Sequence, residues 1–387
     1  MSIQSREYEQ LQQQAASLPR GLVEGMSERD GPDEGGLTLT REHIITLNKY
    51  ANYVTSLPAS QDKMVRWLGY RTIDEPELTP EKMLLAFGAL RAHARRWGSL
   101  SDQSKGLSIE LASVANSIDA GGQVIIEECR RVRALGPDKK NWEQVRFGAP
   151  VALDARDMRT VSTLVDYMMI LKEDVDHYAS RVAAVLKETE TFRDEARFKL
   201  IPAIKQKSAA IDRTKGSGAV ERLRESIAEV DKEIEQLSKE YDQYVKAALT
   251  GLSAGIIGVA ITGGIYGSKA EKARKERKKC QEQRRAFAAQ LRAQLNLEGR
   301  MEELGTSMSE LDTRLQDVVT AASHLHTAWQ TVNSYIEASM DKLARITTGQ
   351  DLARFIFYFS QFLSQWTYIE RTALRLTRIF DDAISAQ

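Results

Sequence analysis

The chain has 387 residues, more than one small domain needs, and its 54 basic and 54 acidic residues cancel. That balance shows neither the basic footprint of a nucleic-acid binder nor an acidic tail. Charged residues make up 28% and aromatics 7%, usual for long helices and thin for a large globular core, so one elongated all-α body is expected.

Residues 1–39 are polar, with Gly31, Pro32, Gly35 and Gly36 near their end, and are expected to form a flexible N-terminal arm. The opening MSIQSREYEQLQQQ lacks a basic start followed by an apolar core, so export by a cleavable secretion signal is not expected. A first helix runs from Thr40 to about Leu57, where Pro58 ends it. Thr79 as N-cap and Pro80 at the first helical position start another, with an interruption expected at Gly98 and a stop at Gly136-Pro137. Together 40–150 read as the first part of a helical tail bundle.

Asp154 can cap a helix whose apolar positions pass through Val165, Met168, Val175, Val182 and Leu186 to about Ile211, and the run Thr214–Gly218 breaks it. No proline follows Pro202, which leaves 185 residues without the strongest helix breaker. Val220, Leu223, Ile227, Val230, Ile234, Leu237, Tyr241 and Tyr244 then alternate spacings of three and four, a coiled-coil seam. Residues 151–246 are therefore expected to form long stalk helices.

Ala247 to Ser268 reads AALTGLSAGIIGVAITGGIYGS, 22 residues without a charge between Lys246 and Lys269. As a helix it spans about 33 Å, close to a hydrocarbon core of ~30 Å. Three readings compete. A buried core helix fits poorly with Gly251, Gly255, Gly258, Gly263, Gly264 and Gly267, each costing about 1 kcal/mol against alanine. A permanent anchor relies on Leu249, Leu252, Ile256, Ile257, Val259, Ile261 and Ile265, whose insertion free energies total only roughly −2 to −4 kcal/mol. A hairpin tip, with Gly263, Gly264 and Gly267 as hinge and Tyr266 beside them, suits two flanking helices that need a reversal, and this reading is favoured.

Beyond the tip the chain is basic. Lys269, Lys272, Arg274, Lys275, Arg277, Lys278, Lys279, Arg284 and Arg285 face only Glu271, Glu276 and Glu282. The bland reading is a solvated face. The favoured one, beside an apolar tip, is contact with anionic headgroups by Lys269 through Lys279, at about 1 kcal/mol per basic residue. Residues 247–285 are thus a hydrophobic foot with a basic return arm. A second seam from Phe287 through Leu343 predicts a return helix to Ile346, about 90 Å long, and a last amphipathic helix fills Asp351 to Ser385, completing 286–387.

The run Ala260-Ile261-Thr262-Gly263-Gly264-Ile265-Tyr266-Gly267, followed by Lys269-Ala270-Glu271-Lys272-Ala273-Arg274-Lys275, resembles the foot of the cytolysin A class of α-helical pore-forming toxins. More closely, it is similar to the A component of the two-component alpha-xenorhabdolysin family, in an order of helices that agrees from about Thr40 onward. The resemblance implies a soluble monomer with a tail bundle, an antiparallel coiled-coil stalk and a hydrophobic foot. It implies assembly with a second, B component into a hetero-oligomeric ring on target-cell membrane lipid, around a lytic pore. Export by a route other than the common signal peptide is also implied. The rival reading is a coiled-coil scaffold or tether with one transmembrane helix.

Other signals carry less. The stripe Phe355, Phe359, Phe362, Trp366 and Ile369 lies in a 15-residue uncharged run, too short to span a bilayer, and is expected inside the tail bundle. Cys129 and Cys280 have no partner spacing for a disulfide framework or a zinc site. Glu173 and His177 share a helix face, and such a lone pair is most often a helix contact rather than a metal site. No phosphate loop and no nucleophile–base pair can be named, so neither an enzyme nor a cofactor is expected.

Overall fold

The computed structural model describes residues 3–29, 31, 34–136, 147–214, 218–253, 267–294 and 296–385. They are helical almost throughout; among them the sole β contact is an antiparallel bridge between Ala152 and Thr348. The helices are α1 (Ile3–Ser27), α2 (Arg41–Ser56), α3 (Gln61–Leu68), α4 (Pro80–Arg130), α5 (Ala155–Glu195), α6 (Ile201–Thr214), α7 (Gly218–Ser253), α8 (Ser268–Gln294), α9 (Asn296–Ala344), α10 (Gly349–Leu363), α11 (Trp366–Leu376) and α12 (Arg378–Ser385). The all-α helical bundle expected from periodicity is what forms.

The capping signals are realised unevenly. The Asp154 carboxylate accepts from the backbone of Arg156 and Asp157 to cap α5 as expected, and α2 also has a cap in Thr40, which accepts from His43 N–H. Thr79 does precede Pro80 at the start of α4, but its hydroxyl turns back to the Pro76 carbonyl at 3.4 Å and caps nothing. Between α5 and α6 the backbone widens into a π turn, Ala196–Leu200. Pro202 explains it, since proline has no N–H to give the carbonyl four residues back and crowds it in a regular helix.

Two local expectations fail. Gly98 does not interrupt α4, which runs unbroken for 51 residues. Its neighbours Ala94, Trp97 and Leu100 are all buried, Trp97 Nε1 donates to Asn48 Oδ1 at 2.6 Å, and that packing outweighs the ~1 kcal/mol cost of one glycine. The N-terminal segment is also no loose arm. Tyr8, Ala15, Leu22, Val23 and Met26 bury one face of α1 against α9, α10 and α11. The Tyr8 hydroxyl meets Ser339 Oγ at 3.0 Å, and Tyr358 donates to Glu9 Oε1 at 3.0 Å. Gly35 and Gly36 are pressed so closely on Met26 O and Leu39 O, 2.1 and 2.0 Å from where a Cβ would sit, that no side chain fits.

α4 and α5 pair antiparallel: Gln103 reaches Glu188 at 2.7 Å, and Arg181 reaches Glu110 at 3.3 Å. α5 and the π turn that follows it run antiparallel to α9, through Lys172–Glu337 at 3.1 Å and Arg197–Asp312 at 2.9 Å, and α6 continues along α9 beyond them. The tail core sits where these helices meet α10 and α11. Phe355, Phe359, Phe362, Trp366 and Ile369 are buried there as expected, and Trp329 lies between Tyr178 (4.6 Å between ring centroids) and Trp366 (5.8 Å). Trp366→Ala is expected to cost about 3–5 kcal/mol, read as a lowered urea midpoint with unchanged slope.

The return stalk differs from expectation. Phe287 to Ile346 is not one helix: α8 and α9 are separate and antiparallel. Gln281 faces Thr313 and Arg277 faces Asp317, pairings that exist only if α8 doubles back. α7 and α8 are antiparallel too, with Arg284 on Asp231 at 2.6 Å and Arg277 against Ser238 at 3.3 Å. α7 consequently runs parallel to α9 and opposite to α6.

Candidate functional site: the α7–α8 hairpin and its seat

The seam of α7 closes on α8 much as its spacing requires. Val230, Ile234 and Leu237 pack on Cys280, with Phe287 against them, while Tyr241 and Val245 pack on Ala270 and Ala273. The two helices bring Ser253 and Ser268 to one end of a hairpin, and the uncharged stretch joins them. Leu249 and Leu252 fall in the last turns of α7. Ile256, Ile257, Val259, Ile261, Gly263, Gly264, Ile265 and Tyr266 lie outside the described residues. Among the described residues no helix is long and apolar enough to cross a membrane.

Gly267 opens α8 with φ 76°, a left-handed conformation that only glycine takes without strain, and its carbonyl accepts from Glu271 N–H at 3.1 Å. The glycine expected at a hinge therefore makes the entry turn of the return arm.

The seven basic residues expected at headgroups divide into two sets. Lys269, Lys272, Lys275 and Lys279 are exposed and spaced by three, three and four residues, one stripe of α8. Lys269 also stands over the Tyr244 ring, 5.8 Å from its centroid. Arg274 and Arg277 are buried, so in this conformation neither reaches a headgroup. Arg274 folds onto Glu271 at 2.7 Å, and Arg277 donates to Asp317 Oδ1 at 2.7 Å with its guanidinium 4.9 Å from the Tyr241 ring. Lys278, half-buried, donates to Glu42 Oε2 at 2.8 Å. Basic residues at buried positions of an amphipathic helix need carboxylates, and α8 itself, α9 and α2 supply them through Glu271, Asp317 and Glu42.

The seat was not apparent from the sequence. α9 presents Glu302, Thr306, Ser309, Thr313 and Asp317 along one line, at spacings of four, three, four and four. α8 answers with Arg284 to Glu302 at 3.0 Å, Gln281 to Thr313 at 3.0 Å and Arg277 to Asp317. Burial alone would raise the Asp317 carboxyl, but the Arg277 charge, with His43 and Arg29, holds it well below the usual carboxylate range. The signal that could have found this seat was a matching polar stripe on two predicted helices, visible only once they are known to be neighbours.

No protein-family model matches the chain, and no curated protein matches it. Solved structures do. The chain is similar to YaxA from Yersinia enterocolitica, at 29% identity over 90% of this chain and 98% of that one, with a TM-score of 0.51. The similarity to a chain of the YaxAB pore complex is 29%, over the same shares, with a TM-score of 0.50. Soluble SmhA of the tripartite alpha-pore-forming toxin Smh from Serratia marcescens matches at 12% identity over 95% of each chain, TM-score 0.50, a likeness of fold alone. The fold is that of α-helical pore-forming toxin components. Within that class the resemblance expected from the foot sequence, to the A component of alpha-xenorhabdolysin-type toxins, is met by YaxA.

Replacing Gly267 by alanine is expected to destabilise the start of α8 by about 1–2 kcal/mol, seen as faster amide exchange in its first turns with α4 and α5 unchanged.

Proposed function

We propose that this chain is the membrane-engaging subunit of a two-component α-helical pore-forming toxin. The observation that carries the proposal is the near full-length similarity to YaxA, a protein found in a YaxAB pore complex, combined with an uncharged stretch at the joined end of an antiparallel hairpin. The foot, Ala247 to Ser268, enters lipid, and the second component and oligomerisation turn a marginal single-chain affinity into stable attachment. The lysine stripe of α8 makes the first electrostatic contact with anionic headgroups. A single-span tether would need α7 and α8 on opposite sides of a membrane. Their packing against each other favours the hairpin reading.

Dye release from liposomes by the purified chain, alone and with a second component, tests this. Leakage only with both present is the expected result, and a chain that binds no liposome of any composition under either condition would overturn it. Ile257→Asp should abolish leakage while leaving the helical circular-dichroism signal intact. Changing Lys269, Lys272, Lys275 and Lys279 together to serine should weaken binding to phosphatidylserine vesicles by about 1 kcal/mol per lysine and flatten its salt dependence, measured by co-sedimentation.

A further inference from the structure

The α7–α8 hairpin is attached to the rest of the molecule differently from every other long helix. Its buried apolar residues between Val230 and Ala273 cluster among themselves, apart from the main core. The face it turns to α9 is polar, made of Arg277, Gln281 and Arg284 against Asp317, Thr313, Thr306 and Glu302. Polar, charge-rich contacts are the kind that separable partners make, whereas permanent ones resemble a core cut in half.

At the middle of this contact Asp317 is reached from three directions. Arg277 comes from α8 at 2.7 Å, Arg29 from the segment after α1 at 3.8 Å, and His43 Nε2 from α2 at 3.7 Å. Around it, Glu42 of α2 holds Lys278 of α8 and Arg314 of α9. His43 Nδ1 accepts from the Thr40 backbone N–H at 3.2 Å, so the neutral ring carries its proton on Nε2, toward Asp317.

We propose that the cluster around Asp317 is an acid-sensitive latch, and that opening it frees the α7–α8 hairpin as a unit from α9 and α2. A second proton on His43 has nowhere to go in the closed form. It would lie on Nδ1, donor against the Thr40 donor, breaking the capping box of α2 and adding a cation beside Arg29, Arg277 and Arg314. Burial accordingly depresses His43, Asp317 pulls the other way, and Arg29 and Arg314 add to the depression. His324 on α9 is buried as well and is pushed down to about 4, by burial first and then by Arg29. α4 and α12 also pack on α2, with His93 meeting Tyr50 two turns along and Asp381 paired to Lys105.

The sign follows from linkage. A histidine depressed in the closed form supports that form fully above its free value, ~6.5, and the support falls as pH drops below it. Each histidine that titrates in this way shifts the opening equilibrium by about tenfold per pH unit. Asp317 loses its contribution only at lower pH, below its ordinary carboxylate range.

Thr313 is buried under Gln281, so Thr313→Cys in the full chain places a thiol inside the α8–α9 contact. Cys129 in the main core and Cys280 inside the hairpin are built-in controls. Labelling with 4,4′-dithiodipyridine, resolved by peptide mass spectrometry and normalised to the unfolded chain at each pH, reads opening directly. Expected is at least a tenfold rise in labelling of the introduced thiol between pH 7.5 and 5.0, with Cys129 and Cys280 still protected. Adding Asp317→Asn should make that thiol label fast already at pH 7.5. His43→Gln, whose side chain can still complete the capping box, should remove most of the pH dependence. Labelling that ignores pH, or that rises at Cys129 in step, overturns the latch. Should Asp317→Asn expose Cys129 as well, the His43→Gln comparison decides, and an unchanged pH response then counts against the proposal. No membrane enters the assay, so its outcome is independent of the pore-forming reading.

Discussion

The structure depends on how the middle of α9 is enclosed. From Thr313 to Ala322 every side chain of that helix is buried, and Thr313, Arg314, Gln316, Asp317 and Thr320 fall within this run. A buried polar group without a partner costs about 1–3 kcal/mol, and an unpaired buried charge costs more. Side chains from other elements come to meet these groups. α2 brings Glu42 and His43, the segment after α1 brings Arg29, and α8 brings Arg277 and Gln281. The position of the α7–α8 hairpin is the answer to that demand.

Two kinds of cohesion result, in different places. Toward its C-terminal end α9 joins an aromatic core with α5, α10 and α11, where Tyr178, Trp329, Phe362 and Trp366 interlock. Apolar burial of this kind is non-directional and sums to most of a domain's stability. Toward its middle and N-terminal half α9 holds α8 through ion pairs and hydrogen bonds, which have strict geometry and little net gain over hydration. The bundle is secured by the first kind of contact. The α7–α8 arm, whose helices flank the uncharged stretch, is held by the second.

What was legible in the sequence was local. The Asp154 cap, the three-and-four seam of α7 from Val230 to Tyr244 and the aromatic stripe of α10–α11 each depend on residues within a few turns of one another, and each is realised. The N-terminal helix was legible too, in Tyr8, Leu11, Ala15, Leu18, Leu22 and Met26 at helical spacing, but its many polar residues hid a one-residue-per-turn stripe. Gly98 misled because a backbone propensity of ~1 kcal/mol is visible in the sequence, whereas the packing of Trp97 on α2 is not. The unbroken return helix was a similar case: the seams on either side of 295 continue one another in register, and only the partners of Arg277 and Arg284 reveal that they face each other.

By itself the sequence determined the all-α class, the helical faces, and the place of one uncharged, glycine-rich stretch between an acidic-and-apolar helix and a basic one. These are properties of composition and period, set by backbone geometry that every helix shares. The tertiary structure alone decided which basic residues of α8 are exposed and which are buried. Lys269, Lys272, Lys275 and Lys279 point outward, while Arg274 and Arg277 turn in. The physical reason is that a charge is buried only where an opposite charge is brought to it, and for Arg277 that charge is Asp317, forty residues away on the next helix.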